Sequence, residues 1–343
     1  MRWQRIIGDI AKLEGYKKPK IYANKLKLDT NENIAMPRSL VADILNNINI
    51  DVREYPTNYE ELKDKLADYL SIDKGCIAIG NGSDQIIDLI LASISKNDIS
   101  SITIKPTFSF YIARCKLHSI NLKEISLDGN MQFDPNAIIN SDADICYISS
   151  PNNPTGNQFD KDDIISIIES FNGLVLIDEA YAEFARYSLK DLVNRYDNLI
   201  ILRTMSKAFG LAGLRIGYAI SNPTLIDIFN NIIQYPYPIS SIAVTAAINM
   251  LDRKDDVFAI IEEVKEERER VFNAITDLGL HAYRSDANFI MFEANDDIFN
   301  ALLEEGIVIK DLGMINDKRC YRVSIGNKEI NDRFISALRK VCS

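Results

Sequence analysis

Lys207 lies in the run T-M-S-K-A-F-G-L-A-G-L-R-I-G, directly after the apolar segment N-L-I-I-L-R. Phe209, Leu211, Ala212 and Leu214 surround it with hydrocarbon. An ammonium held in such a setting gives up its proton more readily and becomes an amine nucleophile for a carbonyl. Thr204, Ser206 and Arg215 add hydroxyls and a guanidinium that suit an anion beside that amine.

Three further motifs precede it. G-N-G-S-D, residues 80–84, closes an apolar run and opens a helical one. Glycines allow a tight turn there, and the amides of a first helical turn attract phosphate; a plain turn is the alternative. S-P-N-N-P-T-G, residues 150–156, pins Asn153 before a proline in an extended or turn conformation, which an ordinary loop would also do. D-E-A-Y, residues 178–181, ends the run L-V-L-I. A carboxylate at the edge of a buried sheet is costly unless a cation or a protonated ring nitrogen pairs with it, and a helix N-cap is the other reading of Asp178.

The elements that must position these residues follow from periodicity. C-I-A-I-G, S-I-T-I-K-P, A-D-I-C-Y-I-S, L-V-L-I-D-E-A-Y, N-L-I-I-L-R-T and R-I-G-Y-A-I-S read as buried strands, interleaved with helical patterns at 84–95 and 161–171. That alternation predicts an α/β fold with a mostly parallel central sheet, which binds ligands at the carboxyl ends of its strands. Beyond Pro238 the spacing predicts a helix to about residue 251 and a charged helix over 255–278 with one apolar face. The strands N-F-I-M-F-E-A, G-I-V-I-K-D and C-Y-R-V-S-I-G then form a smaller α+β lobe.

Composition narrows the chemistry. With 343 residues, 47% hydrophobic, the chain can bury a large core. A net charge of -10 without a dense basic stripe argues against nucleic acid as partner. Five cysteines with no C-x-x-C pair and only His118 and His281 argue against a disulfide scaffold, a metal site or a Ser-His-Asp triad. Acid-base work falls to Lys, Tyr, Asp or Glu. Residues 1–20 mix charged and apolar types at roughly helical spacing without a signal-peptide core, which predicts a cytoplasmic protein with no membrane span.

The four motifs, in this order, resemble the fold-type I pyridoxal-phosphate aminotransferases of class I/II, and R-T-M-S-K-A-F-G-L-A-G-L-R-I-G resembles the histidinol-phosphate aminotransferase branch. The likeness runs over essentially the whole chain. It implies that Lys207 bonds covalently to the cofactor aldehyde and moves the substrate proton, that Asp178 pairs with the pyridine nitrogen, and that Asn153 and Tyr181 donate to the ring oxygen. It further implies that Phe108 stacks on the ring, and that Ser83, Asp84, Thr204, Ser206 and Arg215 hold the 5'-phosphate. Tyr55, in R-E-Y-P, would reach the phosphate of the neighbouring subunit in a homodimer.

For substrate, the resemblance implies Arg322 as a clamp on an anionic group, with Tyr16 and Asn31 as further contacts. Two positions depart from the branch pattern: Ile34 stands where N-E-N is usually followed by proline, and Lys310 stands where arginine is usual. Lysine keeps the charge and loses the two-pronged geometry. The expected reaction is transamination between histidinol phosphate and 2-oxoglutarate. Threonine-phosphate decarboxylation, an aromatic or broad-specificity aminotransferase, and a non-catalytic cofactor-binding regulator are the alternatives. The expected large domain spans 42–249, and 1–41 with 250–343 supply an N-terminal arm and the small domain.

Overall fold

The computed structural model describes residues 8, 10–13, 15–16, 20–95, 98–295 and 297–342, so the helical spacing expected over residues 1–20 lies mostly outside the described residues. The β-branched runs form the strands they predict. β1 is Leu26–Lys27, β2 Ile77–Gly80, β3 Ser100–Lys105, β4 Asn121–Ser126, β5 Ile145–Ser149, β6 Leu174–Asp178, β7 Leu199–Thr204 and β8 Gly217–Ser221. β9 is Phe289–Glu293, β10 Ile307–Val308, β11 Lys310–Ile315 and β12 Lys318–Ser324.

Seven strands make one sheet in the order β2-β8-β7-β6-β5-β3-β4. β8 alone runs against its neighbours; β3, β4, β5, β6 and β7 are mutually parallel. Every residue of β2, β5, β7 and β8 is buried, as strands covered by helices on both faces must be. β4 escapes the sequence reading because its residues N-L-K-E-I-S are mostly exposed at the sheet edge and carry no continuous apolar run.

Helices flank this sheet, among them Gly82–Ile94, Ser109–Leu117 and Lys161–Ser170. The last starts at Asp160, whose carboxylate accepts from the Asp162 and Asp163 amides, satisfying donors that the first turn leaves orphaned. The two later helices are Ser241–Asp252 and Lys254–Asp277. The charged one buries Val257, Ile261, Val264, Val271 and Ile275 and leaves its Glu/Lys/Arg face largely to solvent.

The second lobe holds the antiparallel sheet β11-β12-β9 and the parallel pair β1 and β10. The run G-I-V-I-K-D is therefore split: Ile307 and Val308 pair with Leu26 and Lys27, whereas Lys310 begins a separate strand against β12. One core joins the lobes, containing Leu28, Met205, Phe209, Phe289 and Tyr321. Among the described residues no helix is long and apolar enough to cross a membrane.

Candidate active site

The carboxyl ends of β2, β3, β5, β6 and β7 share one edge, and the segments that leave them line a cleft of about 670 Å³. Tyr16, Asn31, Ser83, Asp84, Phe108, Asn153, Asp178, Tyr181, Thr204, Ser206, Lys207, Arg215, Lys310 and Arg322 all face it. Tyr55 does not: it is exposed and stacks on Tyr237 with ring centroids 4.3 Å apart. Ile34 packs, partly buried, against the core outside the cleft lining.

Lys207 follows β7 by three residues, and its Nζ donates to the Thr30 carbonyl at 3.1 Å and lies 5.6 Å from the Tyr181 ring centre. Burial, reinforced by the nearby Arg322 guanidinium, lowers its pKa from 10.5 to about 8. A buried, partly neutral amine is the form that attacks a carbonyl.

Asp178 ends β6 and is buried, and no helix starts on it: its Oδ2 accepts from the Tyr147 hydroxyl at 2.7 Å and its Oδ1 from the Ala180 amide at 3.0 Å. Burial nevertheless raises its pKa to about 6, because two donors only partly replace lost water. Tyr181 accepts from Asn31 Nδ2 at 3.0 Å, and burial pushes its phenol up to about 12. It is thus neutral and available as a donor into the cleft.

At the amino end of the helix Gly82–Ile94, Gly82 adopts φ +75°, and a Cβ there would stand 2.6 Å from Arg215 Nη2. Gly217 lies closer still, since a Cβ on it would meet the Gly82 and Ser83 backbone at 2.3 Å. These glycines let β8, the helix start and Arg215 converge. Arg215 pairs with Asp84 at 3.0 Å and donates to Ser206 Oγ at 3.2 Å; the Ser206 amide in turn donates to Thr204 Oγ1 at 3.1 Å. Helix dipole, hydroxyls and guanidinium together make a cradle for a phosphate.

On the far wall Arg322 donates to Asn153 Oδ1 and to the Asp29 carbonyl, while its buried Nε has no partner among the described residues. Lys310 stands directly opposite it in the β11–β12 register. Burial, with Arg322 next, lowers the Lys310 pKa.

Sequence reasoning missed two features. Tyr147 reads as a core residue within a strand, yet it pairs with Leu176, two residues before Asp178 on the same face. Glu179 and Arg203, beside Asp178 and Thr204, form a buried ion pair at 2.8 Å, and Arg203 also holds Glu183 at 2.9 Å. The alternation of faces in β5 and β6 was the signal available for Tyr147; the ion pair depends on the β6–β7 register and left none.

The donors present fit pyridoxal phosphate. A phosphate cradle, a buried carboxylate lacking a cation, and an amine of lowered pKa converge on one cleft. The family model of aminotransferase class I and II matches residues 23–338. The chain is 34% identical to a histidinol-phosphate aminotransferase of Thermoanaerobacter, over 96% of this chain and 97% of that one. It is 36% identical to that of Pyrococcus furiosus over 92% of each. The crystal structure of histidinol-phosphate aminotransferase from Sinorhizobium meliloti in complex with pyridoxal-5'-phosphate superposes with TM-score 0.85 at 26% identity, covering 92% of this chain and 90% of that one. Sequence, fold and cleft chemistry agree that the chain belongs to the class I and II aminotransferases, the pyridoxal-phosphate-dependent transaminases of fold type I, on the side of its histidinol-phosphate branch.

Proposed function

We propose that the chain transfers the amino group between L-histidinol phosphate and 2-oxoglutarate, in histidine biosynthesis, in the cytoplasm. The observation that carries this is the facing pair Lys310 and Arg322, two cations in cross-strand register on the cleft wall. Like charges set opposite one another are unfavourable; the Asp29 carboxylate eases both, and a bound anion would ease them further. A phosphate ester supplies that anion, and the Arg322 Nε without a partner is a donor for it. Tyr16, edge-on to Phe108 at 6.5 Å, adds an aromatic surface to the cleft suited to a flat imidazole.

When bound, pyridoxal phosphate supplies an aldehyde for the substrate nitrogen and a ring that withdraws electrons from the neighbouring carbon. The protein supplies the rest. Lys207, of which about a tenth is neutral at pH 7, would take the proton from the substrate carbon onto Nζ and hold it there as the ammonium until it is returned in the reverse transfer. Asp178 would hold a proton on the ring nitrogen, Asn153 and Tyr181 would donate to the ring oxygen, and Phe108 would cover the ring face. Ser83, the Asp84 amide, Thr204, Ser206 and Arg215 hold the 5'-phosphate. We assign residues 42–249 to the large domain and the remainder to the arm and small domain. A homodimer brings Tyr55 of each copy to its neighbour's phosphate, consistent with its exposure here.

Lys310 favours a second reading, an aromatic or broad-specificity aminotransferase, because an ammonium grips phosphate with less geometric selectivity than a guanidinium. Assaying the purified enzyme with 2-oxoglutarate against histidinol phosphate, phenylalanine, tyrosine and threonine phosphate separates these. A kcat/KM for histidinol phosphate far above the others supports the proposal. Equal use of aromatic amino acids supports the second reading, and CO2 release from threonine phosphate would replace both with a decarboxylase.

A further inference from the structure

Asp178 is the most deeply buried carboxylate of the cleft, and its strongest visible support comes from a residue outside the cleft lining. Tyr147 Oη donates to Asp178 Oδ2 at 2.7 Å. The Tyr147 ring is fully buried and stacked on Tyr111, with centroids 4.0 Å apart and planes 9° from parallel. Tyr111 is anchored in turn, its hydroxyl 2.6 Å from Ser101 Oγ. The Tyr147 carbonyl accepts from Thr103 Oγ1 at 2.8 Å, tying the same residue to β3. The phenol therefore has one place to go, and that place is the carboxylate.

We propose that Tyr147 is a positioning residue that holds Asp178 ionised and aimed at the cofactor ring, and so sets how tightly and over what pH range the chain grips pyridoxal phosphate. The inference rests on the assignment of Asp178 to the ring nitrogen. The charged and titratable groups around Asp178 are Lys207 on the loop after β7, Asp84 at the start of the helix Gly82–Ile94, and Tyr181 beyond β6. Lys207 favours the carboxylate and Asp84 opposes it. Tyr147 is the side chain that directly donates to it. Loss of that donor shifts the balance towards the protonated acid, which cannot pair with a protonated ring nitrogen.

The test uses Tyr147→Phe, which keeps the stacked ring and deletes one hydroxyl, with Asp178→Asn and the double variant. Pyridoxal-phosphate affinity is measured on each apoprotein across pH, and the Asp178 carboxyl is titrated in the apoprotein by infrared difference spectroscopy. Circular dichroism checks the fold. Tyr147→Phe is expected to weaken cofactor binding about tenfold, the size of one hydrogen bond to a charged group, and to move the Asp178 titration to higher pH. The double variant is expected to bind no worse than Asp178→Asn, because Tyr147 acts through that carboxylate. If Asp178→Asn weakens binding and Tyr147→Phe matches the wild type in both affinity and titration, the inference is overturned while the Asp178 assignment stands. If losses in the double variant simply add, Tyr147 acts by another route and the inference also falls. An Asp178→Asn protein that binds like the wild type would overturn the assignment itself. Should the phenylalanine variant misfold, 3-fluorotyrosine at position 147, which keeps the ring and donates more strongly through a more acidic phenol, is expected to move the Asp178 titration to lower pH, and an unchanged titration overturns the inference.

Discussion

The amine of Lys207 gives the sharpest prediction. At pH 7 a lysine at the ordinary value of 10.5 holds about 0.03% of its amine free, whereas one at about 8 holds about 9%, a gain of roughly 300-fold. Capture of pyridoxal phosphate by the apoprotein, trapped with borohydride and read by mass spectrometry at position 207, should rise with pH to a plateau with a midpoint near 8. Arg322 is the second cause of the lowered value, after burial. Arg322→Met should therefore move the midpoint upward and slow capture at pH 7 while leaving the high-pH plateau in place. The sign is fixed: removing a cation from beside a cation makes the protonated form easier to keep. A wild-type midpoint near 10.5, or one indifferent to Arg322, would refute the reasoning.

Three further outcomes are expected. Gly217→Ala drives a Cβ into the Gly82 and Ser83 backbone, so it should lose about 1–3 kcal/mol in urea denaturation and weaken cofactor binding; Gly129→Ala, with nothing within 4 Å, should lose neither. Asp178→Asn should stabilise the apoprotein at pH 7. The carboxylate is held at about 6 against 3.8, so its ionisation above pH 6 costs folding about 3 kcal/mol, a cost relieved as pH falls through 6. Glu179→Ala leaves Arg203 buried with one carboxylate fewer and should cost about 3–5 kcal/mol by urea denaturation.

The strand runs were legible because Ile and Leu concentrate where helices cover both faces, as in β5 and β7. The edge strand β4 was not, since exposure removes the pattern. G-I-V-I-K-D read as one strand, but the chain hands its first half to β1 and its second to β12. That division depends on distant partners, which local spacing does not encode. Lys207, Asp178 and the glycine turn stood out because each places a costly or conformationally special residue at the end of an apolar run. Tyr147 and Arg203 act from within strands and Glu179 from the residue just after β6, where an aromatic looks like packing and an ion pair becomes visible only once the register is known.

Asn31 ties the cleft to both ends of the numbering. Its amide donates to Ser324 Oγ across 293 residues, its carbonyl accepts from Asn288 across 257, and its side chain holds Tyr181. During synthesis, a nascent polypeptide halted before residue 322 would own the phosphate cradle and the reactive amine yet lack the wall that closes them off. The coenzyme is consequently a reporter of late maturation: ribosome-bound fragments should acquire its colour only after the final sheet has emerged and docked.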